Sequence, residues 1–248
     1  MHEYIESISK KTKTEITFSG EDSVLKKLSS SGMANPNVIN SGKYYDAKII
    51  TGKLNADNKF PVVMNINMKN DAKSILPNMT FKVLGSATTE TLPVMDSVVV
   101  GNISVVEKKS VLLMINKLFE QIELPNVKMV IGQVYVKTNP INLQTPKVEM
   151  NMIATTKYTL ISVTDSTANF DISVSYSMNT DAIKNQKISF NGFGEGSGKM
   201  VYQRKYNYPV KNELAIKLDL SSEENNNPLK IHILLETSSI QNIHIHKL

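Results

Sequence analysis

Aromatic and cationic side chains alternate in KMVYQRKYNYPVK, residues 199–211. Tyr202, Arg204, Tyr206 and Tyr208 share one parity, so a regular strand would put three phenol rings and a guanidinium on one face. Lys199, Lys205 and Lys211 flank them. Rings interleaved with cations on a sheet suit unpaired nucleic acid. Bases stack on such rings for about 1–3 kcal/mol each while cations follow the phosphates. Lys43, Tyr44, Tyr45 and Lys48 form a second patch of this kind, and Tyr135 with Lys137 a third. The plainer alternative is that the tyrosines are half-buried strand residues with wet hydroxyls.

Two other segments invite chemistry and supply less of it. NGFGEGSGK, residues 191–199, is not a phosphate-binding P-loop: Phe193 stands at its first required glycine, and Met200 at the hydroxyl position after Lys199. The segment is expected to be a hairpin loop, able to close over a ligand. His244 and His246 share a parity, and His232 could reach them across a C-terminal hairpin. Three imidazoles can hold zinc, but the chain has no cysteine and only Glu236 on that face. A solvated edge is the expectation, with no metal and no cofactor. No nucleophile, base and orienting acid can be singled out, so no catalysis is expected.

Net charge is +5, with a single arginine among 28 cations. Few arginines argue against reading of duplex base edges and leave non-specific phosphate neutralisation open. A lysine- and asparagine-rich codon bias would give the same composition. The absence of cysteine fits a reducing compartment. No apolar run is long enough to cross a bilayer as a helix, so an intracellular protein without a membrane partner is expected.

The elements that must position these residues are mostly strands. Phe170, Ile172, Val174, Tyr176 and Met178 alternate with polar residues, which predicts one buried and one wet face. Residues 164–167 read as the turn before that strand. Further strands are predicted at 15–18, 42–54, 60–68, 79–84, 98–106, 127–138 with a bulge at Gly132, 188–190, 200–208, 214–220, 229–236 and 243–246. A short helix after Gly20, capped by Asp22 or Ser23, should end near Gly32, with a loop over 29–42. Val111, Leu112, Ile115, Leu118, Phe119 and Ile122 make one apolar stripe, predicting an amphipathic helix over about 108–123.

The chain NLQTPK (Asn142 to Lys147), KYTL (Lys157 to Leu160) and the Phe170–Val174 strand resembles the single-stranded DNA-binding proteins of large DNA viruses. GKYYDAKI (Gly42 to Ile49) is similar to their first barrel strand, and YNYPVKNELAIKL (Tyr206 to Leu218) to their closing strands. The likeness runs in order over about residues 40–220. The chain departs from it in lacking an acidic C-terminal tail, ending HIHIHKL, and in lacking a glycine soon after Lys147.

The resemblance implies a β-dominated single domain, 1–248. It would hold a polar lead-in (1–20), an elaborated OB-type barrel (40–220) and a C-terminal β-hairpin (228–248). It implies binding of single-stranded DNA, or RNA, without sequence preference, in viral replication, repair or recombination. That work would take place in the host cytoplasm or nucleus, with viral replication proteins as partners and a homo-oligomer possible. Tyr44, Tyr45, Tyr135, Tyr202, Tyr206 and Tyr208 would stack bases. Lys43, Lys48, Lys137, Lys147, Lys199, Arg204 and Lys205 would meet phosphates. The competing expectation is a β-sandwich component of a viral shell.

Overall fold

Cross-strand pairing, followed residue by residue through a computed structural model, defines one antiparallel sheet of eleven strands. The structure describes residues 2–70, 79–88, 91–99, 105, 108–109, 111–113, 115–116, 128–144, 149–178, 189–223 and 229–248. In chain order the elements are β1 (His2–Gly20), α1 (Asp22–Ser30), β2 (Asn37–Thr51), β3 (Lys59–Asn70), β4 (Met79–Thr88) and β5 (Val94–Val98). They continue as β6 (Val134–Gln144), β7 (Glu149–Val163), β8 (Thr167–Met178), β9 (Ser189–Gln203), β10 (Tyr208–Glu223) and β11 (Leu229–Lys247). The spatial order is β5-β4-β3-β2-β1-β11-β10-β9-β8-β7-β6. Every neighbour is also a chain neighbour except β1 with β11, so two meanders join through the terminal strands. β5 and β6 are the edges, and the sheet is open between them.

Directly paired residues point to one side of a sheet, so the register sorts every side chain. One row runs Lys43, Lys10, Ser239, Leu214, Gly198, Ile172, Tyr158, Tyr135 from β2 to β6. Among the described residues the strands' buried core lies on the face of this row. Val62, Met64, Ile66, Phe81 and Val83 form one cluster on β3 and β4. Tyr158, Leu160, Phe170, Ile172 and Val174 form another on β7 and β8. Between the clusters, Ile216, Leu218, Ile233 and Leu235 on the same face are only half-buried. The opposite face is solvent-exposed and mixed, its charged and hydroxyl side chains interspersed with exposed Ile5, Val38, Phe193 and Ile240. Total exposed surface is 15557 Å², against about 11,000 Å² expected for a compact monomer of this mass. A single sheet layer cannot cover its own apolar side.

Four glycines set the spacing of β9 and β10 in this layer. Gly192, Gly194, Gly196 and Gly198 all belong to the apolar face of β9, opposite Leu220, Leu218, Ile216 and Leu214. A Cβ on Gly198 would fall onto the Glu213 carbonyl, and one on Gly194 onto the Leu218 side chain. The missing side chains let β10 close tightly over β9. The segment 191–199 is thus the middle of a strand, not the hairpin loop its glycines suggested.

Residues 105, 108–109, 111–113 and 115–116 are helical, in part of the span predicted for the amphipathic helix. Ile115 is buried in the β2–β5 cluster, and Val111 and Leu112 pack against it. Leu118, Phe119 and Ile122 lie outside the described residues. The Asn116 amide accepts from the Met95 N–H at 2.8 Å and donates to its carbonyl at 2.9 Å, fixing this helical stretch to β5.

Several boundaries differ from expectation. The lead-in is a strand over its whole length, because β1 is sandwiched between β2 and β11. The C-terminal hairpin does not form: β11 is one continuous strand against both β1 and β10. The loop expected over 29–42 yields its last part to β2. Val99 lies beyond the end of β5 and residue 105 is helical, so no strand spans 98–106. Glu21 occupies the N-cap of α1 without a side-chain hydrogen bond. At the other end, Met33 N–H reaches the Leu28 carbonyl and Gly32 N–H the Ser29 carbonyl, with Gly32 at φ 81°. That is a Schellman ending.

Candidate functional site

The strand expected over 200–208 is a hairpin. β9 ends at Gln203, β10 begins at Tyr208, and the two pair directly. Residues 204–207 turn between them, with Asn207 at φ 53°. The turn is tied to its neighbour: Arg204 Nη1 donates to the Thr164 carbonyl at 2.7 Å, and Arg204 N–H to the Ser166 carbonyl at 2.9 Å. The guanidinium expected on a phosphate therefore braces the 164–167 turn.

The tyrosines of this segment part company. Tyr208 is buried, with its ring 5.6 Å from Tyr4. Burial first, then Glu6 and Tyr4, push its phenol well above the usual range. It cannot stack on a base, and its place in the stacking set is withdrawn. Tyr206 stays at the turn, 5.4 Å from the His2 ring, with the Lys205 ammonium 5.5 Å over it. Tyr202 is half-buried on the apolar face against the β7–β9 cluster, and its hydroxyl donates to Asn207 Oδ1 at 2.7 Å. Burial lifts its phenol to about 12.

The second patch divides as a strand must. Lys43 and Tyr45 stand on the apolar face, Tyr44 and Lys48 on the polar one. Tyr45 packs against the β2–β5 cluster, and burial raises its phenol. Tyr44 is 47% exposed. Lys48 is ion-paired with Glu3. Lys199, also on the polar face, is exposed between Asp171 and Glu213, its direct cross-strand neighbours. Tyr135 and Lys137 keep company on the apolar face of β6, and the Tyr135 ring stacks on Tyr158 at 6.2 Å. Lys147 lies outside the described residues. The expected set is thus scattered over two faces and a turn.

Sorting by face brings out a different pattern. On the apolar face the strands carry Lys10, Lys43, Lys137 and Lys247. Among the described residues that face has one carboxyl, Glu6. Glu6 is buried, accepts a hydrogen bond from Gln241, and is pushed up in pKa by that burial, with the Gln241 bond opposing. The remaining strand acids point to the polar face. Lys10 and Lys43 are direct cross-strand partners. Lys10 is exposed by area, yet its surroundings exclude enough water, with Lys43 opposite, to lower its ammonium pKa. Like charges set directly opposite one another are unfavourable, and no ionised carboxylate on this face offsets them. Lys10 was not in the phosphate-contacting set expected from the sequence; the signal is its cross-strand register, which one strand's pattern does not contain.

The histidines do not converge. His232 pairs with Asp219 at 2.8 Å, while His244 and His246 lie far along the same strand, opposite Ile5 and Glu3. Among the described residues no group of three metal-ligating side chains is gathered.

No known family model matches the chain, and no curated protein does. A solved structure titled "Asymmetric conductivity of engineered proteins" aligns over 96% of this chain and all of its own, at 8% identity and a TM-score of 0.24. That score carries no argument about fold or function. No described helix is long and apolar enough to cross a membrane.

Proposed function

We propose that this chain binds single-stranded DNA without sequence preference, and that the strand lies on the apolar face of the sheet rather than on the 199–211 segment. The observation behind this reading is charge sorting. Lys10 and Lys43 form an uncompensated pair beside Tyr45, and the described residues of that face hold no carboxyl except the buried Glu6. A phosphate chain meets cations without acids there, and bases meet half-covered apolar and phenol surface. On the polar face the same polyanion would meet Glu195, Glu213, Glu236 and Asp171. The open sheet would serve as the OB-type barrel serves in the family the sequence resembles, with viral replication as the setting. No catalysis and no cofactor enter this reading. A shell component is less well supported: β5 is short and hydrogen-bonded by Asn116, and Pro140 withholds a donor on β6, so neither edge offers a full strand for pairing between subunits.

Fluorescence anisotropy with an oligothymidine tests it. Binding should weaken steeply with salt. Replacing Lys10 and Lys43 together by glutamine should reduce the slope of log K against log salt by about 1.4, at about 0.7 per phosphate contact on a single strand. Tyr45→Ala should cost about 1–3 kcal/mol that persists at high salt. Absence of binding at low salt, or an unchanged slope in the double variant, would end the proposal.

A further inference from the structure

A groove crosses the polar face over β2, β1, β11, β10 and β9, with a volume of about 1140 Å³. That lies just above the usual range for ligand sites, as expected for an open surface depression. Its floor is a cross-strand row of Lys13, Glu236, Lys217 and Glu195, alternating in sign. Strand spacing sets the alternation at about 4.8 Å, comparable with the length of one pyranose ring. Lys13 leans to Glu15 at 3.6 Å. Among the described residues Lys217, Glu195 and Glu236 make no ion pair, although Lys217 stands directly opposite each carboxylate. The adjacent row contributes Lys11, Ser238, Ala215 and Ser197, with Gly42 at its end. Tyr44 lines the groove and is exposed.

We infer that this groove is a binding site for a neutral oligosaccharide. Alternating lysines and glutamates disfavour any ligand of a single charge sign: a polyanion is repelled at Glu195 and Glu236, a polycation at Lys11 and Lys217. A sugar hydroxyl both donates and accepts, so each ring can answer an ammonium on one side and a carboxylate on the other. Charge-assisted hydrogen bonds of this kind are the stronger ones. The floor positions Gly42, Ser197, Ala215 and Ser238 are small, which leaves a ring's edge room to approach the backbone. An exposed phenol beside such a floor suits the apolar C–H face of a pyranose. None of these residues belongs to the proposed nucleic-acid face, so the two readings stand or fall separately.

The test is calorimetric titration of the whole chain with neutral malto-, cello- and chito-oligosaccharides. One series should bind, with affinity increasing with chain length. Tyr44→Ala and Glu236→Gln should each weaken it at least about tenfold, while melting temperature and oligothymidine binding stay as in the parent. The inference is overturned if no series binds at millimolar concentration. It is equally overturned if both variants bind the sugar undiminished, or if oligothymidine displaces the sugar from the groove.

Discussion

Glu6 sits in the middle of the apolar face with Ala47 on one side and Ile243 on the other. Burial favours its neutral carboxyl, and the bond from Gln241 only partly offsets this. A carboxyl raised in the folded state binds its proton more tightly there than in the unfolded chain. Stability is then full below the ordinary glutamate range and declines as pH rises from that range through the folded value. Glu6→Gln keeps an acceptor for Gln241 and removes the titration. The variant should melt higher than the parent at pH 7, by about 2–4 °C for each kcal/mol relieved, and the two should converge in acid. A parent that gains stability from pH 4 to 7 relative to the variant would refute the account. None of this was legible in the sequence, where Glu6 looked like one more polar residue of a lead-in. The buried position of Tyr208 was equally hidden. Its parity with Tyr202 is real, but residues 204–207 fold the strand back on itself and the register shifts between Pro209 and Lys211, so parity along one strand no longer relates the two rings.

The elements were legible wherever one strand could be judged alone. The alternation over Phe170–Met178 gives β8, whose Phe170, Ile172 and Val174 are buried as predicted. The strand expected over 127–138 begins only at Val134, and Gly132, where a bulge was expected inside it, stands in the turn just before. Gly132 has φ 87°, its N–H reaches the Leu160 carbonyl, and Leu160 N–H reaches the Gln133 carbonyl. Two residues thus oppose one, with glycine in the left-handed position a G1 bulge requires. What failed is glycine read as flexibility. Spaced by two, the glycines of β9 form a strip for close approach, and that spacing was the available signal. Gly198→Ala puts a methyl against the Glu213 carbonyl, a backbone atom that cannot rotate away. It should cost about 1–3 kcal/mol, the range for overpacking. Ser197→Ala, on the polar face next door, should stay within about 0.5 kcal/mol. Urea unfolding of the two variants distinguishes a close-packed strip from a tolerant segment; equal midpoints would favour the latter.

An open sheet of eleven strands carries two edges, and an unpaired edge is a template for another chain. At β5 the strand is short, and the Asn116 amide takes both the N–H and the carbonyl of Met95. At β6 the protection is built into the sequence. Leu160 turns its N–H and carbonyl toward the β6 side, so by alternation Tyr158, Thr156 and Ala154 do the same. Their partners Tyr135, Lys137 and Asn139 must face back. Val134, Val136, Thr138 and Pro140 are therefore the residues whose backbone groups face the open side, and proline there has no N–H to offer. Exposed apolar side chains crowd this edge: Val134 and Val136 on β6, Ile131 just before it, and Ile153 on β7. Proline thus guards the part of the molecule best suited to self-association. Pro140→Thr restores a donor at the centre of the outer edge and adds a β-branched residue that favours extended pairing. The variant should sediment as a concentration-dependent dimer or larger species under conditions where the parent does not. A variant no more associated than the parent would show that the β6 edge is closed by something other than its proline.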